Sequence, residues 1–379
     1  MKHFYTLILA ILLIILTAAD ALAFDIRIGL KTRVAKSSIG AQHDSAIVAK
    51  RTNKPLIKIN RMEKYSVYAE NNTVLIKKDS VNKVYNTGQD AIYIIPVDNN
   101  SLVYCDSRWY RGSLKLLAKG NYITVVNVVE LEDYIKGVVP AEMPANWNTE
   151  ALKAQAIAAR SYALANLNKR RSEGYDLDTS TNDQVYKGAS AETYRSNVAV
   201  ETTRGQVIVH NGRIIPAYYH SSSGGVTEND AWSGKIGFVR IVRDYDQQSP
   251  RAQWSKILEK NQISSKLSAR GYSVGELSAI LPVSRTETGR IKKLRLTGTA
   301  GSALIDGEQF RKMFDLPSSL YSIYINSNNI IINGKGSGHG VGMSQWGAKD
   351  LADRGYNAYQ ILGYYFNDVS IKTLSSSNT

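Results

Sequence analysis

The stretch V-V-P-A-E-M-P-A-N-W-N-T-E-A-L-K-A-Q-A-I-A-A-R-S-Y-A-L (Val138–Leu164) organises the reading of the whole chain. Two β-branched residues lead into Pro140, so the expectation is an apolar strand end running into Glu142, an acid framed by Pro140 and Pro144. Asn148, Thr149 and Glu150 form a helix-start signal. The predicted helix places Leu152, Ala156, Ala159 and Ala163 on one face, at spacings of i, i+4, i+7 and i+11. Lys153 and Arg160 lie seven apart and share another face, from which they would hold a substrate oxygen if that face lies below Glu142. The basic run Lys169-Arg170-Arg171 and Gly174 mark the expected helix end. Partial desolvation would raise the pKa of Glu142 and keep it a proton donor near neutrality.

Upstream, Phe24 to Lys119 reads as β-rich. F-D-I-R-I-G-L, P-L-I-K-I-N, K-Y-S-V-Y-A and A-I-Y-I-I-P-V alternate apolar and polar residues, and N-N-T, N-T-G-Q-D and D-N-N punctuate them as turns. Arg108–Leu117 and Tyr122–Val129 read as two strands joined near Gly120. Glu130, Glu132 and Asp133 read as helix-start chemistry. Lys2 and His3, the apolar stretch Phe4–Leu16 and the A-x-A pattern Ala21-Leu22-Ala23 read as a secretory signal peptide over residues 1–23. Export to the periplasm or cell wall is the expectation, with a membrane role only if that segment stays uncleaved.

Downstream, Ala191–Gly205 reads as helical, and Asn211-Gly212 as a hairpin turn that delivers His220 into S-S-S-G-G. W-S-K-I-L-E-K and S-V-G-E-L-S-A-I-L read as amphipathic helices, I-K-K-L-R-L-T-G as a strand, and G-E-Q-F-R-K-M-F as a short helix. Six glycines between Gly334 and Gly347 surround His339 and expose backbone before a helix running to about Arg354.

The chain has 379 residues, enough for a sizeable core. Its formal net charge of +14 draws in polyanions such as nucleic acid, an anionic membrane or an acidic wall polymer. Cys105 is the single cysteine, so no intrachain disulfide and no Cys-pair metal site forms. The Walker pattern and the G-x-S-x-G elbow are absent. The dinucleotide pattern occurs only in part around His339, and no nucleic-acid motif is present. An acid/base carboxylate fits best, and glycoside cleavage is a chemistry that uses one.

Five blocks resemble the stage II sporulation protein D / amidase-enhancer family. They are the Val138–Leu164 stretch, D-Q-V-Y-K-G from Asp183, Y-Y-H-S-S-S-G-G-V-T-E from Tyr218, A-W at Ala231, and G-S-G-H-G-V-G-M-S-Q-W-G-A from Gly336. Their order and spacing fit from about Arg111 to Phe366. The resemblance implies a peptidoglycan lytic transglycosylase acting on peptide-stripped glycan strands. Glu142 would protonate the glycosidic oxygen between N-acetylmuramic acid and N-acetylglucosamine. It would then take the proton of the muramic C6 hydroxyl, leaving a 1,6-anhydro end. Lys153, Gln155, Arg160, Asp183, Gln184, Tyr186, His220, Ser221, Ser222, Ser223, Trp232, His339, Gln345 and Trp346 would line the substrate cleft. The alternative is a non-catalytic wall-binding enhancer of an amidase, with the amidase as partner. A zinc-binding version of the His220 loop would need Cys or further His. This loop reads H-S-S-S-G-G, so no metal and no cofactor is expected.

The expected fold is α+β. A β-rich part (24–110) precedes a mixed α/β catalytic domain with an extended cleft (111–370) and a flexible tail (371–379).

Overall fold

Alternating residues of Asp25–Val34 bury Ile26 and Ile28 completely, and this segment is strand β1. The computed structural model describes residues 24–49, 55–98, 100–231 and 234–374. The expected signal peptide over 1–23 lies outside the described residues, and so does Trp232.

Twelve further strands follow β1 in the same unit: β2 (Lys36–Ala41), β3 (Ser45–Ala49), β4 (Pro55–Ile59), β5 (Tyr65–Glu70), β6 (Thr73–Lys78), β7 (Lys83–Asn86), β8 (Ala91–Pro96), β9 (Val103–Cys105), β10 (Arg108–Tyr110), β11 (Ser113–Lys119), β12 (Tyr122–Glu130) and β13 (Leu177–Asp178). They make a seven-stranded sheet, β13-β1-β12-β11-β8-β3-β4, and a six-stranded sheet, β10-β9-β2-β5-β6-β7. The two sheets pack face to face through β5, β6, β11 and β12. Arg108–Leu117, read as one strand, is split between the sheets at Gly112 (φ 73°), where a Cβ would meet the Val128 carbonyl oxygen at 2.3 Å. Cys105 is buried, and burial pushes its thiol up to about 12.

This unit comprises residues 24–142, 166–207 and 371–374 of the described chain. It includes helices α1 (Leu131–Glu142) and α3 (Tyr194–Thr202), which pack on each other. Of the flexible tail expected over 371–379, the first residues are ordered: strand structure runs through Val369–Thr373, and Leu374 N donates to Gly205 O at 2.9 Å, while 375–379 lie outside the described residues.

The second unit comprises 143–165 and 208–370. Helix α2 (Thr149–Ala165) packs on α6 (Gln345–Asp353) and α7 (Ala358–Tyr365). Strand β14 (Gln206–His210) pairs with β15 (Arg213–Ile214) across Asn211-Gly212, both at positive φ, the turn expected from N-G. The short strands β16 (Tyr219–His220), β17 (Asp230–Ala231) and β18 (Gly234–Lys235) follow. An inserted module then has its own core, including Ile263, Leu294, Phe310 and Ile332. Its strands are β19 (Trp254–Glu259), β20 (Leu277–Arg285), β21 (Ile291–Gly298), β22 (Gly301–Asp306), β23 (Tyr321–Ile325) and β24 (Asn329–Gly334). They form sheets β19-β24-β23 and β20-β21-β22, with helices α4 (Lys260–Ser268) and α5 (Gly307–Met313). Strand β25 (Met343–Ser344) leads into α6.

Both amphipathic-helix expectations in this module are corrected. W-S-K-I-L-E is β19 and L-S-A-I-L is part of β20, because each pairs over its length with a strand distant in sequence or across a turn. The strand at Ile291 and the helix at Gly307 stand where expected. The α+β class holds, with 24% helix and 41% strand.

Candidate functional site

Val138 and Val139 belong to a helix, which corrects the strand end expected before Glu142. Leu131, Tyr134, Ile135, Val138 and Val139 are all buried, at helical spacing i, i+3, i+4, i+7, i+8. Glu130 Oε2 accepts Asp133 N at 3.2 Å, and Glu132 and Asp133 occupy the first turn, where acids oppose the helix dipole. Pro140, in the last turn, has no N–H to give Lys136 O, and the next carbonyl, Gly137 O, accepts Lys187 N from outside the helix at 3.3 Å. Glu142 is the final helical residue and is half-buried.

The D-Q-V-Y-K-G segment is fastened against α1. Gln184 is fully buried and its Oε1 accepts the Tyr134 hydroxyl at 3.2 Å. The Tyr186 hydroxyl donates to Asn127 Oδ1 at 2.8 Å, and its ring packs on Tyr134 and Tyr110 with centroids 4.9 and 5.7 Å away. Asp183 accepts from Lys169 Nζ at 2.5 Å, Arg170 Nε at 3.0 Å and Asp178 N at 2.9 Å. Burial pushes the Asp183 carboxyl upward, but the hydrogen bonds from Asp178, Lys169 and Arg170 outweigh it and hold it below its ordinary value. These three side chains, expected to contact substrate, are engaged by the protein itself. Their effect is to aim one backbone group: Val185 N donates to Glu142 Oε1 at 2.7 Å. Lys169 and Arg170, read as a helix end, instead bind this loop. Helix α2 stops at Ala165, ahead of Asn168 with φ 61°.

In the second unit, α2 is buried nearly all round from Ala151 to Ala163, so its alanines allow close approach on several sides rather than on one face. Asn148 Oδ1 accepts Glu150 N at 3.0 Å and starts the helix as predicted. Lys153 Nζ sits 2.7 Å from Glu150 Oε1, whose other oxygen accepts Ala358 N at the start of α7. Gln155 is fully buried; its Oε1 accepts Gln345 Nε2 at 3.4 Å, and its own Nε2 has no partner among the described residues. Arg160 is completely buried, with Nη1 3.5 Å from Ala156 O. The Trp346 ring meets Trp147 edge-on at 4.7 Å.

The two loops around His220 and His339 come together. β16 pairs in parallel with β25, aligning His220 with Ser344, and Ser222 exchanges backbone hydrogen bonds with Ser337 at 3.0 and 2.7 Å. The imidazole centroids are 5.6 Å apart. Gly338, at φ 101°, permits this approach, since a Cβ there would lie 2.9 Å from His220 Cβ. His220 Nδ1 donates to Val341 O at 3.1 Å, and its buried Nε2 finds no partner among the described residues. Burial, then His339 and Arg290, press the His220 pKa far below its usual value. Burial beside Arg290 and Arg311 likewise lowers His339 to about 3, and its Nδ1 accepts Val341 N at 3.1 Å. Both rings are therefore neutral acceptors or donors near pH 7, not cations.

Ser222 and Ser223 are turned inward. Ser222 Oγ donates to Asp246 Oδ2 and Ser223 Oγ to Asp244 Oδ2, both at 2.6 Å. Ser221 is half-buried, and its carbonyl accepts Trp346 N at 3.1 Å. Asp244 and Asp246 were missed in the sequence, where D-Y-D has no local signature. Asp244 also accepts Tyr365 Oη at 2.8 Å, and burial raises its carboxyl pKa. Arg290 was missed too. It is buried, and its Nη2 donates to Ser223 O at 2.6 Å.

Residues 119–210 match the family model described as Stage II sporulation protein, and residues 234–342 match a domain of unknown function. The chain is 32% identical over 272 residues to stage II sporulation protein D of Bacillus amyloliquefaciens, covering 66% of this chain and 76% of that one. It belongs to the stage II sporulation protein D family. An uncharacterized protein of Brachyspira hyodysenteriae is 33% identical over 268 residues, covering 69% of this chain and 72% of its own. The amidase enhancer of Bacillus subtilis is 31% identical over 285 residues, covering 61% of this chain and 39% of that relative. The model match spans α1, Glu142 and the loop that binds it. Among the described residues, no helix is long and apolar enough to cross a membrane, and no three His, Cys, Asp or Glu side chains gather as metal ligands would.

Proposed function

We propose that this family member is an exported peptidoglycan lytic transglycosylase with Glu142 as its single general acid and base. The observation that carries the reading is the hydrogen bond from Val185 N to Glu142 Oε1, which fixes the carboxyl at the end of α1 while leaving the residue half-buried. A backbone N–H can donate but not accept, so the proton of the acid form resides on the other oxygen, Oε2. In the forward step that proton goes to the glycosidic oxygen as the bond to muramic C1 breaks. The carboxylate then takes the C6 hydroxyl proton as O6 closes on C1, giving a 1,6-anhydro end without consuming water. Expected substrates are glycan strands stripped of their peptides. Within the second unit, Trp346, Gln345 and the neutral His220 are the side chains whose chemistry suits sugar faces and hydroxyls.

Digestion of purified denuded glycan, read by mass spectrometry for anhydro-muramic ends, tests this. Wild type is expected to release them, and Glu142→Gln to fall by about 10²–10⁴-fold. No anhydro product from wild type overturns the reading. The second reading, a non-catalytic enhancer of a wall amidase, is favoured by the named Bacillus subtilis relative. It predicts amidase stimulation undiminished in Glu142→Gln.

A further inference from the structure

The inserted module carries an outward sheet face that its own core leaves uncovered. In β19-β24-β23 the residues Leu258, Ile323, Ile330 and Ile332 point to the module core. The opposite face has Ile257, Ile331 and Tyr324 aligned directly across the three strands. Ile257 and Tyr324 are 65% and 59% exposed. Two residues along each strand lies a polar row, Ser255-Asn333-Ser322, and on the other side Glu259 pairs with Asn329. Glu259 and Asn329 continue into an open cavity of about 750 Å³ that also includes Glu276 and Lys260. The Glu259 and Glu276 carboxylates make no hydrogen bond or ion pair among the described residues.

We propose that this face and cavity hold a neutral, N-acetylated sugar chain, as a second glycan site within the module. The choice of ligand rests on the reading of the chain as a glycan-cleaving protein; the shape argument does not. Three strands set the apolar stripe at roughly 10 Å long, about two sugar rings, and the polar rows stand roughly 7 Å to either side. A pyranose has this division, an apolar C–H face edged by hydroxyl and acetamide groups. Tyrosine over such a face provides contact area with little loss of side-chain freedom. A stripe one residue wide between polar rows is far below the ~800 Å² per partner that a stable protein interface needs. Two carboxylates against one lysine in the cavity repel an anionic polymer. With the two sugars alternating along a strand, the ring beside the cavity is therefore N-acetylglucosamine, and the lactyl-bearing muramic ring takes the position away from it.

The test is binding of a soluble N-acetylglucosamine hexamer to full-length Glu142→Gln protein by calorimetry. Adding Tyr324→Ala is expected to weaken binding about 3- to 10-fold, the scale of one lost aromatic contact. Leu304→Ser, an equally exposed apolar residue on β22, is expected to leave it unchanged. A hexamer alternating N-acetylglucosamine with glucuronate should bind more weakly than the neutral one. Equal binding by the Tyr324→Ala protein, equal loss from Leu304→Ser, or preference for the anionic hexamer overturns the proposal. Because Glu142 is already disabled here, failure of glycan cleavage in the wild type leaves this result intact, and a failed hexamer titration leaves the cleavage result intact.

Discussion

Val185 acts on Glu142 only through its backbone, so its side chain is replaceable and its N–H is not. Val185→Ala should retain activity. Val185→Pro removes the donor and should lower kcat by roughly 10- to 100-fold, the cost of one hydrogen bond to a charged group. The pH profile should separate this from misfolding: Glu142 has to start protonated, so losing a donor that favours the carboxylate moves the basic limb of kcat/KM upward in pH. An unchanged limb in a folded Val185→Pro protein would remove the positioning role. At this scale the sequence was half legible. Glu142 stood out through its motif. Asp183, Gln184 and Tyr186 stood out too, but their motif marks the loop that aims Val185. A pattern of side chains cannot by itself tell ligand contact from loop fastening.

At the scale of elements, α1 shows how a short window misleads. Val138-Val139-Pro140 has strand-like β-branching and a breaker, yet the period that counts begins at Leu131. Its five buried side chains contribute about 1.5–3 kcal/mol each. Packing therefore outweighs the propensity cost of a late proline. Gly137 is the close point of this helix, where a Cβ would lie 2.5 Å from Tyr186 Cε2. Gly137→Ala should cost about 1–3 kcal/mol by overpacking, seen as a Tm fall of several degrees, and should reduce glycan cleavage by displacing the Tyr186 loop. An unshifted Tm would mean that the ring gives way freely. β19 and β20 were misread for a related reason. Six to nine residues with mixed polarity fit either period, and only partners elsewhere in the chain decide.

For the molecule as a whole, the fold class was legible because alternating strands are dense before residue 130 and helices frequent after it. The interleaving of two units was not, since no local feature of Met143 or Asn166 records that the chain changes unit there. The buried histidines give the second unit a pH dependence. Both His220 and His339 have folded pKa values depressed below the ordinary value near 6.5. A depressed histidine contributes stability that is complete above the unfolded pKa and is lost as pH falls below it, here from about 6.5 toward 3 for His339. Each contributes a slope of about 1.4 kcal/mol per pH unit in that window. Thermal unfolding between pH 7 and 5 should show a steep fall in Tm for wild type and a shallower one for His339→Gln. Equal slopes would show that His339 protonates without cost in the folded state.

The hydrogen bond from Leu374 to Gly205 bears on the order in which the chain is made. The first unit draws on residues 24–142, then 166–207, then 371–374, and the entire stretch 208–370 is synthesised between its second and third pieces. A ribosome adding roughly 5–20 residues per second needs on the order of ten seconds or more to supply those 163 residues. Throughout that interval the loop that fastens Glu142 exists, but the unit it belongs to is still missing its last piece, residues 371–374.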